Sequence, residues 1–307
     1  MDVALLRTFL AVSDTGSLSA ASGRLFVTQS AVSLRLRRLE DLLGRPLFER
    51  SKAGAKLTPA GQAFERYALS LTRLWEEARQ QVAVPDGFAR AVAIGAQYSL
   101  WPRLGFRWID ALRAADPGLA IRAELGMPDR LTRFLTEGQV QAALTYAPTL
   151  RPGLSVRPVL EDELVMVSAA PFEGPDDPAL RAAYAFCDWG PEFAEAHHAA
   201  LPDLSTGIAF SLGTLAADWI ATRGAAAYMP ARAVRADLDA GRLHLVPDAP
   251  PFPYPAWVVT RDDLDPEVAE TLSTTLAQVA AAAAAAQEAV LDRLEAVSDG
   301  PVAAMEA

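Results

Sequence analysis

Residues 17–59 contain two short helical patterns separated by only a few residues, and this stretch constrains the fold of the chain most strongly. One apolar stripe predicts a helix over 18–25, and a second stripe predicts a helix over about 29–41. The stripes consist of Leu18, Ala21 and Leu25, and of Val32, Leu36 and Leu39. Because Thr28 has the side chain of a good N-cap, we predict that the second helix begins directly after it.

The second predicted helix carries a polar and basic face beside its apolar stripe. Glutamine can pair with adenine, serine can bond to bases or phosphates, and arginine can reach guanine or phosphate. The candidate DNA contacts of this region are Thr28, Gln29, Ser30, Ser33, Leu34 and Arg37. A single helix of this kind is most often only a solvated surface. The alternative is a helix-turn-helix over about 18–37, whose second helix enters the major groove of DNA.

The residues that follow favour the DNA-binding interpretation. Two short extended pieces around residues 52–55 predict a β-hairpin wing with basic side chains for phosphates or the minor groove. These side chains are Arg50, Lys52 and Lys56. Thr58 and Pro59 then begin a long helix with apolar residues every three or four positions, namely Phe64, Ala68, Leu71, Trp75, Ala78 and Val82. We predict that this linker helix, over 60–88, pairs two copies of the chain.

The net charge of −10 averages two unlike parts of the chain. Residues 1–90 hold 13 Lys and Arg against 9 Asp and Glu, whereas residues 91–307 hold 15 against 29. Within residues 24–56 the count is 8 against 3. Salt screens charges beyond about 8 Å, so DNA would respond to the local positive excess. The acidic overall balance therefore does not exclude a nucleic-acid partner.

Several short runs within residues 2–61 form one highly specific pattern. They are residues 6–9, 16–21, 28–33, 39–40, 43–44, 46–50 and 57–61. On these runs the chain resembles the LysR-type transcriptional regulators. The resemblance implies that the residues approaching DNA include Gln29, Ser30, Ser33 and Arg50. The position of Leu34 usually carries Gln or Arg in these proteins, so its leucine implies an apolar contact, for example to a thymine methyl group.

From residue 89 onward, short apolar runs alternate with helical patterns. The first set has predicted strands at 91–95, 119–125 and 140–146, with helices at 100–115 and 128–137 between them. This order predicts a parallel sheet covered by helices. Extended pieces within 154–168 and a second α/β set follow, which we also interpret as a parallel-sheet lobe. Asp265 and Pro266 open a last long helix, which an alanine run at 280–286 extends.

The resemblance implies that this larger part is an effector-binding domain with two lobes, similar to periplasmic binding proteins. The fold class is therefore predicted as α+β multidomain: a mostly α winged helix-turn-helix plus a two-lobed α/β domain. The predicted bounds are 1–59 for the DNA-binding domain, 60–88 for the linker helix, 89–297 for the effector domain and 298–307 for a frayed tail. Lobe one would comprise 90–162 and 266–297, and lobe two would comprise 163–265.

Two such lobes leave a cleft at the strand ends, where small ligands bind. The candidate effector-binding residues are Tyr98, Ser99, Leu100, Trp101, Met127, Tyr146, Trp189, Gly213 and Thr214. A helix start near Ser99 would offer free N–H groups to an anion. Core packing is an equally open alternative for three of them: Trp101, Tyr146 and Trp189. His197 and His198 are interpreted as a solvent-facing pair, with a pocket or pH-sensing role as the alternative.

The sequence lacks HExxH, Walker A and GxSxG patterns, and its three histidines show no metal-ligand spacing. Cys187 is the only cysteine, which excludes an internal disulfide and a multi-cysteine metal site. We therefore predict a ligand-responsive transcriptional regulator without a metal or other cofactor. A ligand-independent DNA-binding architectural protein is the first alternative. An enzyme of the two-lobed fold with a DNA-binding appendage is the second.

The expected partners are double-stranded DNA at a promoter or operator and a small-molecule effector of anionic or aromatic character. Further copies of the chain are expected in a dimer or tetramer, and RNA polymerase is a further candidate. No apolar run of about 18 residues predicts a membrane span, and the N-terminus does not resemble a signal peptide. We expect a cytoplasmic, nucleoid-associated protein.

Overall fold

The computed structural model of the chain describes residues 2–51, 54–204 and 207–298. Its N-terminal part is a small helical unit with a hairpin, followed by a long helix. The elements are α1 (Val3–Thr15), α2 (Leu18–Leu25), α3 (Gln29–Leu43), β1 (Phe48–Ser51), β2 (Gly54–Leu57) and α4 (Pro59–Val82). The two strands pair antiparallel, with Phe48 opposite Leu57. The predicted winged helix-turn-helix is therefore confirmed.

Short polar side chains begin these helices, because the first backbone N–H groups of a helix need acceptors. Thr28 Oγ1 accepts a hydrogen bond from Ala31 N at 3.2 Å at the start of α3. Thr58 Oγ1 accepts from Gly61 N at 3.0 Å at the start of α4. Both predicted N-caps are confirmed. α2 ends at Leu25, and the φ of 54° at its C-cap Phe26 lies in the left-handed region.

Phe9 of α1 lies in the core of the winged unit. Its ring centroid is 5.3 Å from that of Phe48 in the wing and 5.2 Å from that of Phe64 in α4. The apolar stripe predicted for α3 is fully buried in the same core. The first three helices, the wing and the start of α4 therefore form one packed body, and the opposite face of α3 is left to solvent.

The apolar residues predicted as one dimer-forming stripe on α4 lie in two different environments. Ala68 is buried in the core of the winged unit, and Phe64 packs against that core. Leu71, Trp75 and Val82 instead remain exposed. The prediction of a single stripe is wrong for its first half, because α1 already covers that part of α4.

The rest of the chain forms two lobes. Its strands are β3 (Arg90–Ala96), β4 (Leu119–Leu125), β5 (Ala142–Thr145), β6 (Leu154–Leu160), β7 (Glu163–Ser168), β8 (Phe186–Cys187), β9 (Ala209–Phe210), β10 (Ala226–Pro230), β11 (His244–Leu245), β12 (Phe252–Pro253) and β13 (Ala256–Arg261). Its helices are α5 (Phe106–Ala115), α6 (Pro128–Thr136), α7 (Pro178–Ala183), α8 (Pro191–Ala200), α9 (Ala216–Arg223), α10 (Ala231–Asp239) and α11 (Pro266–Ser298).

Lobe one is built on a sheet with the strand order β4-β3-β5-β13-β6. β3 pairs parallel with β4 and β5, which confirms the parallel arrangement predicted for this part. β13 lies between β5 and β6 and pairs antiparallel with both. The lobe boundary predicted at residue 265 is therefore wrong. The chain has returned to lobe one by Ala256, because the hydrogen bonds of β13 belong to the lobe-one sheet.

The helix predicted over 100–115 begins irregularly. A 3-10 turn covers Tyr98–Leu100 and a wider π turn covers Trp101–Gly105, before α5 begins at Phe106. Pro102 lacks an N–H group for a regular helical bond. The ring of Trp101 lies so close to Gly105 that a Cβ atom there would be 2.5 Å from it. The prediction of one regular helix is therefore wrong in its first turns.

Lobe two has β7 as its central strand. β10, β11 and β12 pair with β7 antiparallel, whereas β8 and β9 form a separate parallel pair. The parallel sheet predicted for this lobe is therefore wrong around β7. β7 enters lobe two directly from lobe one, and its partners β10, β11 and β12 all run against it, so no βαβ crossover returns to pair with β7 in the same direction.

α11 packs on both lobes. Its first part contributes Leu272 and Leu276 to the core of lobe one, and its last part contributes Val290 and Leu294 to the core of lobe two. With 33 residues, the helix is about 50 Å long. The assignment of the last helix to lobe one alone is therefore wrong for its end. Its alanine-rich middle extends the helix, as predicted.

The predicted frayed tail lies outside the described residues except for Ser298, which ends α11. Within the described ranges, no helix is both long enough and apolar enough to span a membrane.

Candidate DNA-binding surface and effector cleft

The solvent face of α3 brings most of the predicted DNA-contacting residues together. Gln29, Ser30 and Arg37 are exposed, and Ser33 is half-buried beside them. Leu34 is 68% exposed on the same helix. Because the apolar stripe of α3 is buried in the core, this face can enter a groove without any rearrangement of the fold. It offers amide, hydroxyl, guanidinium and methyl groups to base edges.

Glu40 of α3 holds the wing in place. Its carboxylate accepts hydrogen bonds from the backbone nitrogens of Leu47 at 2.8 Å and Phe48 at 3.3 Å. The same carboxylate pairs with Arg50 on the wing at 3.4 Å. A phosphate that approaches Arg50 would therefore share its guanidinium with Glu40. The predicted contact Lys52 lies outside the described residues.

Charged side chains attach α4 to lobe one of the same chain, which the sequence did not reveal. The buried guanidinium of Arg261, at the end of β13, bonds to Asp263 at 2.8 Å and to Glu77 of α4. Arg73 of α4 donates to the carbonyl oxygen of Thr136 at 3.0 Å. Burial alone would raise the pKa of Asp263, but Arg261 and Arg73 hold that pKa below its usual value.

The same helix also connects to the winged unit. Buried Glu76 of α4 pairs with Arg7 of α1 at 2.5 Å and with Arg79 at 2.7 Å. Farther along, Gln80 Nε2 donates to the carbonyl oxygen of Gly138 in lobe one at 3.1 Å. Polar contacts therefore join the winged unit to α4 and α4 to lobe one. A movement of lobe one would be transmitted to α4 through them.

Ser99 and Gly213 approach each other between the lobes. A Cβ atom at Gly213 would lie 3.4 Å from the Cβ atom of Ser99 and 3.9 Å from the ring of Trp189. Ser99 belongs to lobe one, whereas Trp189 and Gly213 belong to lobe two. Thr214 follows and is half-buried. The structure therefore brings predicted cleft residues of both lobes together.

Tyr146 lies at the centre of this cleft. Its ring stacks on Tyr254 with the centroids 3.8 Å apart, and its hydroxyl bonds to the guanidinium of Arg232. Buried Arg232 also pairs with Asp162 at 2.5 Å and donates to the carbonyl oxygen of Ser99 at 3.4 Å. Burial raises the pKa of Tyr146 to about 12, so its hydroxyl stays protonated at neutral pH.

The sequence did not identify Asp162, Arg232 or Tyr254 as cleft residues. Asp162 and Tyr254 lie at the two points where the chain passes between the lobes. These crossing points are evident only once the pairing partners of each strand are known. Arg232 follows the end of β10, and strand ends of this kind form ligand clefts in open α/β sheets. That position is the signal that could have identified it.

The other predicted cleft residues divide between core and surface. Leu100 and Trp101 are buried in the core of lobe one, which supports the packing alternative for Trp101. Trp189 belongs to the core of lobe two, although its ring edge reaches Gly213. Tyr98 is 40% exposed and Met127 is 68% exposed, near the carboxyl edge of the lobe-one sheet.

His197 is buried in lobe two rather than exposed. Its Nε2 atom lies 2.8 Å from the hydroxyl of Tyr184, and the rings of Phe193 and Tyr228 pack around it. The prediction of a solvent-facing pair is wrong for His197 and agrees with the structure only for His198, because consecutive residues of a helix point about 100° apart. Burial lowers the pKa of the His197 imidazole.

A groove of about 370 Å³ lies outside the cleft, between β6 and α11. Its lining is mostly apolar and includes Val159, Leu276 and Ala281, with Arg157 as its charged member. It is a second surface where a small molecule could bind, and it is distinct from the residues that meet around Tyr146.

Two protein-family models match the chain. Residues 3–62 match the bacterial regulatory helix-turn-helix proteins of the lysR family, and residues 85–281 match the LysR substrate binding domain. Among characterised sequences, the HTH-type transcriptional regulator HdfR of Escherichia coli is 32% identical over 274 residues. The match covers 86% of this chain and 94% of HdfR.

Several solved structures share the fold of this chain. ArgP from Mycobacterium tuberculosis has a TM-score of 0.56 at 23% identity, and the match covers 91% of this chain and 97% of ArgP. LysG from Corynebacterium glutamicum, solved with bound effector Arg, has a TM-score of 0.54 at 20% identity, with coverage of 92% and 99%. The sequence relative HdfR is named as a transcriptional regulator and not as an enzyme. The chain belongs to the LysR family of DNA-binding transcriptional regulators, with an N-terminal helix-turn-helix domain and a C-terminal effector-binding domain.

Proposed function

We propose that this regulator reads its operator with the exposed face of α3 and that a small molecule in the cleft around Tyr146 modulates this binding. The observation that carries the proposal is the arrangement of α3, which buries its apolar stripe and leaves Gln29, Ser33 and Arg37 facing outward. Residues at the N-terminal end of such a recognition helix contact base edges, and the wing adds contacts to the backbone.

The proposed effector is a small anion or an aromatic acid. Ser99 and Arg232 supply a hydroxyl and a guanidinium from opposite lobes, and the stacked rings of Tyr146 and Tyr254 supply an apolar surface. The guanidinium already pairs with Asp162. An acidic effector would therefore compete with an internal carboxylate, so binding would rearrange the contact between the lobes.

We further propose that two copies pair through the exposed apolar side of α4. Its members are Tyr67, Leu71, Leu74 and Trp75. A symmetric pair would present two recognition helices to half-sites separated by about one helical turn of DNA or a multiple of it. A second interface would extend the dimer to a tetramer. We also propose that the DNA-bound protein contacts RNA polymerase and that it is located at the nucleoid.

An effector changes DNA binding only if it prefers one arrangement of the assembly over another. The polar contacts between lobe one, α4 and the winged unit supply a physical connection for that preference. Closure of the cleft would displace lobe one relative to lobe two, and the contacts of Arg261 would carry this displacement to α4.

The cleft can be tested with Ser99→Trp, and Ala281→Trp in the groove between β6 and α11 is the matched control. Small carboxylic acids are screened for those that raise the melting temperature of the unchanged protein. We expect a hit to stabilise Ala281→Trp equally but to lose its effect on Ser99→Trp, while both variants still bind DNA. A hit that is lost only in Ala281→Trp would place the effector in the groove and overturn the cleft assignment.

A further inference from the structure

Phe26 is the most exposed of the large hydrophobic side chains in the described part of the chain, with 95% of its surface open to solvent. It ends α2 in the left-handed region, with φ of 54° and ψ of 41°. Only Asp248 shares a positive φ among the other described non-glycine residues. This backbone conformation costs free energy for an L-residue with a Cβ atom and normally favours glycine. Neither packing nor the backbone therefore accounts for a phenylalanine at this position.

The turn that carries Phe26 has one inward and one outward side chain. Val27 packs against the core of the winged unit, whereas Phe26 points away from it. Thr28 and Gln29 follow directly and are exposed at the start of α3. The phenylalanine ring therefore stands beside the end of α3 that is proposed to meet the bases.

The position of this turn defines what the ring would meet on DNA. In a helix-turn-helix, the first helix crosses the DNA backbone and the N-terminal residues of the second helix contact base edges. A turn between those two helices lies at the edge of the groove. The groove edge is formed by phosphates and by deoxyribose rings, and the deoxyribose carbons are the apolar part of that surface.

We propose that Phe26 is a DNA-binding residue that packs its ring against deoxyribose at the edge of the half-site. This proposal rests on the proposed reading of DNA by α3. The partner is the sugar of the backbone and not a base, because the turn lies outside the base-reading end of α3. The contact is therefore independent of sequence, and since the ring is uncharged it releases no counterions.

The test compares Phe26→Ala and Phe26→Gly with Leu42→Ala, a control on the last turn of α3 where the leucine is 62% exposed. The probes are a duplex that the unchanged protein selects from a random pool and a scrambled duplex of the same length. We expect both Phe26 variants to bind both duplexes about tenfold more weakly, because the apolar contact area of the ring is lost, with an unchanged dependence on salt concentration. Leu42→Ala should bind both duplexes like the unchanged protein.

Folding does not confound this test. Because the ring is exposed and the backbone is left-handed, Phe26→Gly should melt at the same temperature as the unchanged protein or higher. Phe26→Trp, which keeps an aromatic surface, should retain the affinity. Unchanged affinity of Phe26→Ala and Phe26→Gly would overturn the proposal, as would an equal loss in Leu42→Ala.

Two further outcomes separate the proposal from its alternatives. If the Phe26 variants keep their DNA affinity but change the sedimentation of free protein, the ring packs on a second copy of the chain and the proposal is wrong. If the unchanged protein selects no sequence and Ser33→Ala has no effect, the reading of DNA by α3 fails. A tenfold loss in the Phe26 variants would in that case still identify a backbone contact.

Discussion

Gln29 and Ser33 lie one turn apart on the outer face of α3, where their side chains can exchange hydrogen bonds with base edges. Replacement of either residue by alanine should weaken binding to a selected duplex by about 1–3 kcal/mol, because a base-specific bond is lost. Binding to a scrambled duplex should not change. Fluorescence anisotropy with both duplexes measures the difference.

Ser70→Ala on α4 is the control for this experiment, since Ser70 is exposed and its hydroxyl donates to the carbonyl oxygen of Arg66 in its own helix. If Ser33→Ala weakened both duplexes equally, Ser33 would orient the protein on the backbone and would not read a base. The same comparison separates Ser33 from Phe26, for which an equal loss on both duplexes is the expected result.

His197 makes the stability of lobe two depend on pH. Its pKa is lowered in the folded state by burial and, to a smaller extent, by the neighbouring His198. The unfolded chain therefore takes up a proton first, near its ordinary pKa of about 6.5. The free energy of unfolding is consequently greatest above that pH and falls as the pH decreases through 6.5 toward the folded-state pKa. Tyr184, which bonds to the imidazole, stays neutral throughout this range because burial raises its pKa.

His197→Gln should therefore reduce the loss of stability between pH 7.5 and pH 5.5, because glutamine keeps a hydrogen-bonding group but does not titrate. His198→Gln is the matched control, since His198 is exposed on the same helix. Urea unfolding at a series of pH values measures the effect. If His197→Gln left the pH dependence unchanged and His198→Gln removed it, the effect would belong to His198 and the role given to His197 would be wrong.

At the scale of single elements, α4 has two different sides. One side carries Glu77 and Arg73, which bond to lobe one. The other side exposes Leu74 and Trp75 to solvent. A helix with these two faces can attach the winged unit to lobe one of its own chain while it pairs with a second chain. In the proposed dimer, this arrangement would let one helix transmit a displacement of the effector domain.

Glu77→Gln should loosen α4 from lobe one, because it removes the charge that pairs with buried Arg261. Glu77 is partly exposed, so the expected loss of stability is only about 1 kcal/mol. Hydrogen exchange of α4 residues after Arg73 should accelerate, whereas the core around Phe9 should keep its protection.

Glu270→Gln makes the same charge change at an exposed position of α11 and is the control for that experiment. Unchanged exchange in α4 of Glu77→Gln would mean that the backbone contacts of Gln80 and Arg73 are sufficient to hold the helix. The proposed route from the cleft to the winged unit would then not pass through Arg261.

The elements that the sequence predicted well are those whose signals are local. The caps at Thr28 and Thr58 and the stripe of α3 depend on residues within one or two turns, and they occur where they were predicted. The place of β13 depends on partners about 100 residues away, so no local pattern could assign it to lobe one. Arg232 presents the same difficulty, because its partner Asp162 lies 70 residues earlier in the chain.

At the scale of the whole molecule, α11 and the cleft residues join the lobes at two separate places. α11 contributes Leu276 to one core and Val290 to the other, while Arg232 and Asp162 bond within the cleft. The helix can bend but cannot stretch, so a movement of the lobes would be a rotation and not a separation. Because α4 is bonded to lobe one, a rotation of this kind would also change the orientation of α4 relative to lobe two.

At the same scale, Leu74→Glu tests the proposed pairing of two copies through the exposed apolar side of α4. Leu74 is 63% exposed in the single chain. In a symmetric dimer each copy of this side meets its counterpart, so a glutamate would place two like charges in one apolar contact. We expect the variant to dissociate at concentrations at least about tenfold above those that dissociate the unchanged protein. Analytical ultracentrifugation measures this difference.

Leu150→Glu is the matched control, because Leu150 is also exposed but lies in lobe one, between β5 and β6. It should dissociate like the unchanged protein. A monomer reaches only one half-site, so Leu74→Glu should also bind a duplex with two half-sites little better than a duplex with one. A dimeric Leu74→Glu with an undiminished preference for two half-sites would place the pairing surface elsewhere, and the exposed side of α4 would then require another partner.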